Sequence, residues 1–349
     1  MAGGQERVLR RRIKSVQSTK KITRAMELIA ATRVAKAQQR ANEARPYSEQ
    51  LTAVIQHLAE NGGITDHPLL KPAEDVSKVA YVVIASDRGL AGGYNTSVIR
   101  ACEREMQAQQ LEGVDYALVT VGRKAESYFS YRNYRIHESF EGFSDSPSYE
   151  DAVAVGKVVS DLYTSEDVQA VVLVYTRFVS MGQQQVAVRR FMPLTGVGQQ
   201  DDPVAAGAVA PIPGTDDRDA DRSQAAYEFE PGPGPILESL LPRYVTARLF
   251  AALLDSAASE HASRQRAMKA ATDNAEELIT KLSRVMNRAR QDSITNEIME
   301  VVGGAEALRQ SAGDDPDDLL LDNVFPEDPF DHAVHHPHRT SHFSAGDPS

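Results

Sequence analysis

The sequence predicts an α/β chain in which two long terminal helices enclose a domain built on a parallel sheet. Three observations carry that expectation. From Gln5 to Arg45 there is no glycine or proline, and strong helix formers dominate. Between Pro242 and Gly303 both breakers are again missing. In the middle, about Val76 to Tyr227, strand-sized apolar runs alternate with helical patterns, as in a parallel sheet flanked by helices.

At the N-terminal end, apolar residues recur at helical spacing in Leu9, Ile13 and Val16, then Ile22, Met26 and Ile29, and later Leu51, Ile55 and Leu58. On apolar residues alone this stripe shifts register between Val16 and Ile22 and thins to alanines from Ala30 to Ala41. After the break in propensity at Pro46 the helix resumes or bends, and Gly62-Gly63 stops it. At the other end, roughly 60 residues at 1.5 Å each make a helix of about 90 Å, too long for the interior of a compact domain. Its expected seam is Leu249, Leu253, Ala257, Leu278, Leu282, Val285, Ala289, Ile294, Ile298 and Val301. Spacings of three and four over many turns point to a coiled coil, with the two terminal helices antiparallel. They lie far apart in sequence, so the middle is an inserted domain.

In that middle, "VSKVAYVVIAS", "DYALVTVG" and "DVQAVVLVYTRFV" read as buried strands, with "QQQVAVRRFMPL" as a further one. Between them "NTSVIRACEREMQAQQ" and "SYEDAVAVGKVVSDLY" have helical period. The resulting organisation is a first helix over 1–61, an α/β domain over 76–230, a second long helix over 235–308 and a tail over 309–349. The stretch 196–225 is rich in Gly, Pro, Ala and Asp and reads as a disordered insertion. The acidic, then His/Pro-rich tail reads the same way.

Composition narrows the function. The longest apolar runs, such as Tyr81–Ala85 and Ala170–Tyr175, are too short to cross a bilayer, so direct membrane insertion is not expected. No secretory signal follows the basic N-terminus, and the single cysteine, Cys102, excludes an internal disulfide; both suit a reducing, cytosolic setting. The net charge of −11 hides an asymmetry: twelve basic side chains between Arg7 and Arg45 meet only Glu6, Glu27 and Glu43. Nucleic acid is one partner that such a segment suggests, but it lacks interleaved aromatics and any nucleic-acid module. A solvated coiled-coil face accounts for the charge without one.

The glycine-rich stretch "SDRGLAGGYN", Ser86 to Asn95, follows a strand and opens a helix, as phosphate loops do. Gly89, Gly92 and Gly93 nevertheless precede Tyr94 and Asn95, where a Walker loop needs lysine and a hydroxyl residue, and no GxGxxG is present. A tight turn using glycine at positive φ is the simpler reading. The tail histidines His332, His335, His336, His338 and His342 sit among prolines with no fixed geometry for a metal. No catalytic constellation, cofactor fingerprint or metal motif emerges.

The two ends carry a resemblance. "IKSVQSTKKITRAMELIAATRVAKAQ" (Ile13–Gln38), "EHASRQRAMKAATDNAEELI" and "NRARQDSITNEIMEVVGGAEAL" resemble the γ subunit of F-type ATP synthases of the bacterial type. "SDRGLAGGYN" is similar to that family's central-domain motif, carried here by Asp87, Arg88, Gly89, Gly92, Gly93 and Asn95. The resemblance covers about residues 1–195 and 226–308 and departs in the insertion and the tail.

It implies a long antiparallel coiled coil with a central Rossmann-like domain, acting as a non-catalytic rotor. The partners implied are the α3β3 ring of alternating α and β subunits, the ε subunit and the ring of c subunits, with one copy per complex. The setting implied is peripheral, on the cytoplasmic face of the plasma membrane. Proton flow would turn the shaft, and the shaft would drive each β site in turn. By position, Met26 matches a residue near the acidic loop of β. Arg290, Gln291, Thr295 and Glu297 match opposing coupling positions, and Tyr227 and Glu230, in "YEFEPGPGP", match the segment on the c ring. On spacing alone Met26 is equally a plain seam residue. Two other classes stay open on the residues themselves. A Rossmann-type nucleotide-dependent enzyme would bind ATP or NAD tightly. A coiled-coil scaffold or nucleic-acid binder would self-associate, or bind DNA with strong salt dependence.

Overall fold

The computed structural model describes residues 2–60, 68–73, 75–194 and 233–311. The 196–225 insertion, Tyr227, Glu230 and the tail histidines lie outside the described residues. The described residues fall into two compact units, one made of residues within 2–8 and 284–311, the other of those between Leu9 and Ser283.

The larger unit holds a five-stranded sheet in the order β3-β2-β1-β4-β5. Its strands are β1 (Lys78–Ile84), β2 (Asp115–Val121), β3 (Ile136–Phe140), β4 (Ala170–Phe178) and β5 (Gln184–Met192). The first four run parallel; β5 turns back along β4. The expectation of a parallel sheet is therefore corrected at one edge. The connection from Phe178 to Gln184 is too short for a crossover, so only a hairpin closes it. β3 was not expected from sequence, and neither was the helix α3 (Arg123–Tyr131) that precedes it.

Alternate residues of each strand feed two cores. On one face Val79, Tyr81, Val83 and Leu118 pack with Val98, Cys102 and Met106 of α2 (Tyr94–Leu111) and Phe129 of α3. On the other, Ala80, Val82, Val119 and Leu173 meet Val155 and Val159 of α4 (Tyr149–Thr164). That second face also receives Leu51, Ile55 and Leu58 of α1 (Ala2–Glu60) and Leu241, Leu249 and Leu253 of α5 (Pro233–Ser311). Burial on both sides explains why β1 and β4 read as continuous apolar runs. α4 begins with a capping box: the Ser148 hydroxyl accepts from the Asp151 N–H, and the Asp151 carboxylate accepts from Ser148 N–H.

α1 passes through Pro46 without ending. Its inward face is one unbroken alternation of threes and fours: Leu9, Ile13, Val16, Lys20, Thr23, Glu27, Ala30, Val34, Ala37, Ala41, Ala44, Ser48, Leu51, Ile55, Leu58, each buried or half-buried. The expected register shift after Val16 does not occur. Lys20, Thr23 and Glu27 occupy the seam there, and Ile22 and Ile29 are exposed at 59% and 55%. α5 corrects the expectation in the same way. Met268, Thr272, Ala275, Ile279 and Leu282 face inward, whereas Leu278 and Val285 do not. The Thr23 and Thr272 hydroxyls meet at 2.8 Å, and Lys20 reaches Glu276 at 3.1 Å. Descending numbers on α1 thus pair with ascending ones on α5, which makes the coil antiparallel.

Candidate functional site

The glycine-rich loop follows from how β1 ends. Beyond Ile84, the Ala85 N–H still donates to the Val121 carbonyl at 2.8 Å, and the Ser86 N–H is taken by Asn95 Oδ1 at 2.9 Å. Asp87 then becomes a hub. Its carboxylate accepts from the N–H groups of Arg123, Gly142 and Ser144, each at 3.0 Å, and its own N–H donates to Ser144 Oγ at 2.8 Å. Burial opposes the charge, yet these hydrogen bonds outweigh it and hold the carboxyl below the usual carboxylate range. Of the three glycines only Gly92 has positive φ (58°); the other positive φ in the loop belongs to Leu90 (64°). Gly93 caps α2 through its backbone alone.

The loop turns carbonyls, not N–H groups, toward its main cation. Arg264 of α5 donates to the carbonyls of Gly89 (3.2 Å) and Arg88 (3.4 Å) and to Glu260 Oε1 at 2.7 Å. Glu260 is 1% exposed and Arg264 8%. Ser144 Oγ lies 3.4 Å from the other Glu260 oxygen, which links the hub of Asp87 to the shaft helix. His261 faces the Asp145 carbonyl through Nε2 at 3.0 Å, and burial lowers its pKa. Asp145 also pairs with Arg33 of α1 and, at 3.7 Å, with Arg88. α1, α5 and the sheet are joined through this cluster.

Nucleotide chemistry is a poor match for such a loop. A phosphate cradle presents several convergent N–H donors and a lysine. Arg266, which lines the same hollow as Gly92, Gly93 and Tyr94 at the α2 N-terminus, is committed to the carbonyls of Met181 (3.0 Å) and Gly182 (2.7 Å) and to Gln184 Oε1. Among the described residues no group of three or more His, Cys, Asp or Glu is arranged to hold a metal. Also among them, no helix is long and apolar enough to cross a membrane.

Met26 is half-buried on α1, next to Glu27, which pairs with Arg24 at 2.9 Å. Arg290, Gln291, Thr295 and Glu297 belong to the smaller unit, where all four are exposed on α5. At 100° per residue they share one side of that helix with Ile294 (45% exposed), Ile298 (56%), Val301 (72%), Val302 (58%) and Leu308 (72%). Ile294, Ile298 and Val301, expected as seam, are exposed instead, as is every position of α5 from Ile294 to Ser311; between Arg284 and Ser293 the half-buried positions are Met286, Ala289 and Ser293. The Glu260–Arg264 pair was missed in the sequence, where it looks like any i,i+4 surface pair. Its one signal is position, among the small residues of a helix that is buried on all sides.

The signature of the family described as ATP synthase matches residues 5–308. The chain is 47% identical over 313 residues to an ATP synthase gamma chain of Parafrankia sp., covering 88% of this chain and 99% of that one. It is 46% identical over 312 residues to the gamma chain of Kineococcus radiotolerans, covering 88% and 98%. Among solved structures it is similar in fold to a chain of the Euglena gracilis mitochondrial ATP synthase (OSCP/F1/c-ring), with TM-score 0.60, 17% identity and coverage of 90% and 98%. It is also similar to a chain of the Tetrahymena thermophila central stalk/c-ring, with TM-score 0.52, 23% identity and coverage of 72% and 99%.

Proposed function

The chain belongs to the ATP synthase gamma-chain family and is a rotor subunit of the central stalk; from that premise we propose that it couples by shape and contact alone, with no active site of its own. The observation that carries this reading is the row of exposed apolar side chains on α5, Ile294 to Leu308, beside Arg290, Gln291, Thr295 and Glu297. An exposed row of this kind marks an interaction surface. Its occupant in this reading is the ring of α and β subunits, which the row enters as a shaft enters a bearing.

The row appears at odds with the idea that a turning shaft must avoid hydrophobic contact. What opposes rotation, however, is not the size of the contact energy but its variation with angle. Hydrophobic burial is non-directional and scales with area. Three similar partners presented in turn therefore offer similar burial at each position. Directional contacts would vary more, and the exposed charges that make them are individually weak, about 0–1 kcal/mol per surface pair.

Further partners in this reading are the ε subunit and the c ring, at the sheet domain and the segment containing Tyr227 and Glu230. The complex it serves is peripheral to the cytoplasmic face of the plasma membrane. Met26 contributes as a neutral side chain beside the acidic loop of β. The test is Met26→Lys in membranes that carry the whole complex. A new cation there forms a charge-assisted contact, so ATP hydrolysis persists while ATP-driven proton pumping falls. Pumping and synthesis equal to the parent would refute the assignment of Met26.

A further inference from the structure

A cavity of about 410 Å³ lies in the larger unit where α1, the β4–β5 turn and α5 meet. Its apolar wall includes Phe178, Met181 and Leu254, and its polar wall includes Asn42, Ser180 and Asp255. Asp255 is the unusual member. Half-buried, it lines the cavity with a carboxylate for which no hydrogen bond or ion pair to a described residue is found. The Arg45 guanidinium lines the same cavity but is held by Glu49, one turn along its own helix, at 3.4 Å. Arg177 of β4 acts on Asp255 only through its field, and the buried Tyr175 hydroxyl faces it from the same strand. No titratable side chain stands on the turn from Val179 to Gln183.

We infer that this cavity is a binding site for a small organic monocation, an amidinium or ammonium on a flat apolar body, with Asp255 as its counter-ion. The volume falls within the range of small-molecule sites and is far larger than a bare metal ion requires. A flat amidinium can give two parallel N–H bonds to one carboxylate while its ring lies against Phe178 and Leu254. An anion is disfavoured there, because it would lie against the unpaired carboxylate. The inference does not depend on the rotor role, since it rests on the cavity and the orphan carboxylate alone.

Burial pushes the Asp255 carboxyl up to about 7, against the opposing fields of Arg177 and Arg45. Only the ionised form holds a cation. Affinity should therefore rise by about tenfold per pH unit below that value and level off above it. The experiment is titration of the full chain with benzamidine, charged at every pH used, by calorimetry from pH 5.5 to 8.5, with benzyl alcohol as the neutral comparison. Expected is saturable benzamidine binding that follows this profile, with benzyl alcohol much weaker throughout. Asp255→Asn, nearly identical in shape, should bind at least about tenfold more weakly at pH 8 and lose the pH dependence. Thermal unfolding should show that variant folded, and no less stable than the parent at pH 8. Absence of saturable binding to the folded parent chain, a flat pH profile, or equal affinity in Asp255→Asn would each overturn the inference.

Discussion

Replacing Arg264 by methionine tests how the sheet is fastened to the shaft helix. In the parent, the guanidinium satisfies Glu260 at 2.7 Å and the carbonyls of Gly89 and Arg88 at 3.2 and 3.4 Å, and both charged side chains are buried. Methionine fills most of the volume but leaves a buried carboxylate with only Ser144 Oγ nearby, at 3.4 Å. Breaking a buried pair on one side costs about 3–5 kcal/mol, far more than a surface ion pair returns. Adding Glu260→Leu removes the orphaned charge and should restore stability to within about 2 kcal/mol of the parent, the remainder being the carbonyls that lose their donor.

The pH dependence follows from Glu260. Its carboxyl is raised by burial in the parent, with Arg264 opposing the shift. Without Arg264 it rises further. A raised folded-state value means that the folded chain binds the proton more tightly. The deficit of Arg264→Met is therefore smallest where Glu260 is protonated in both folded chains, and it grows as pH rises from the parent's raised folded value toward the variant's still higher one. The assay is urea unfolding followed by far-UV circular dichroism, because the chain has no tryptophan to report by fluorescence. A loss below about 1 kcal/mol at pH 7.5, or a double variant no better than the single, would refute the reasoning.

Other substitutions follow from the same geometry. Gly122 has φ of 93°, and an added Cβ would lie 2.3 Å from the Ala85 carbonyl oxygen, so Gly122→Ala should cost about 2 kcal/mol or more in urea unfolding. Gly113, at φ 85° with open space around it, should lose only about 1 kcal/mol on the same change; equal losses would show that the clash is unimportant. Cys102 is fully buried and its thiol is pushed up by burial, so alkylation by iodoacetamide at pH 8 should wait for unfolding. Modification of the native chain at the rate of a free thiol would contradict its placement. Thr23→Val should lower stability by no more than about 1 kcal/mol in urea unfolding, because the Thr272 hydroxyl it leaves behind still donates to the Met268 carbonyl at 2.9 Å; a loss above about 2 kcal/mol would contradict that.

What was legible in the sequence follows from what is local. β1, β2 and β4 were readable because strands buried on both faces become uninterrupted apolar runs. β3 was not: in Ile136–Phe140 only the two ends are apolar, and at a sheet edge it is specified by pairing with β2. The coiled coil was legible as a pair of long helices but not in its seam. Reading apolar residues alone selects Ile22, Ile29 and Ile294, whereas the heptad runs through Lys20, Thr23 and Glu27, and the partners of the first two, Glu276 and Thr272, lie far away on the other helix. The loop at Ser86–Asn95 was legible as a turn. Its role in gripping Arg264 was not, because burial of that arginine depends on Gly89, Glu260 and Ser144 arriving from three different elements.

The measurement that bears most directly on the rotor assignment is native mass spectrometry of this chain co-expressed with the α and β subunits of its own source. The expected particle contains one copy of this chain with three of each partner, because a shaft occupies the axis of the ring and not its repeating positions. A free monomer or a self-associated species, obtained beside α and β subunits shown to be folded, would contradict the account.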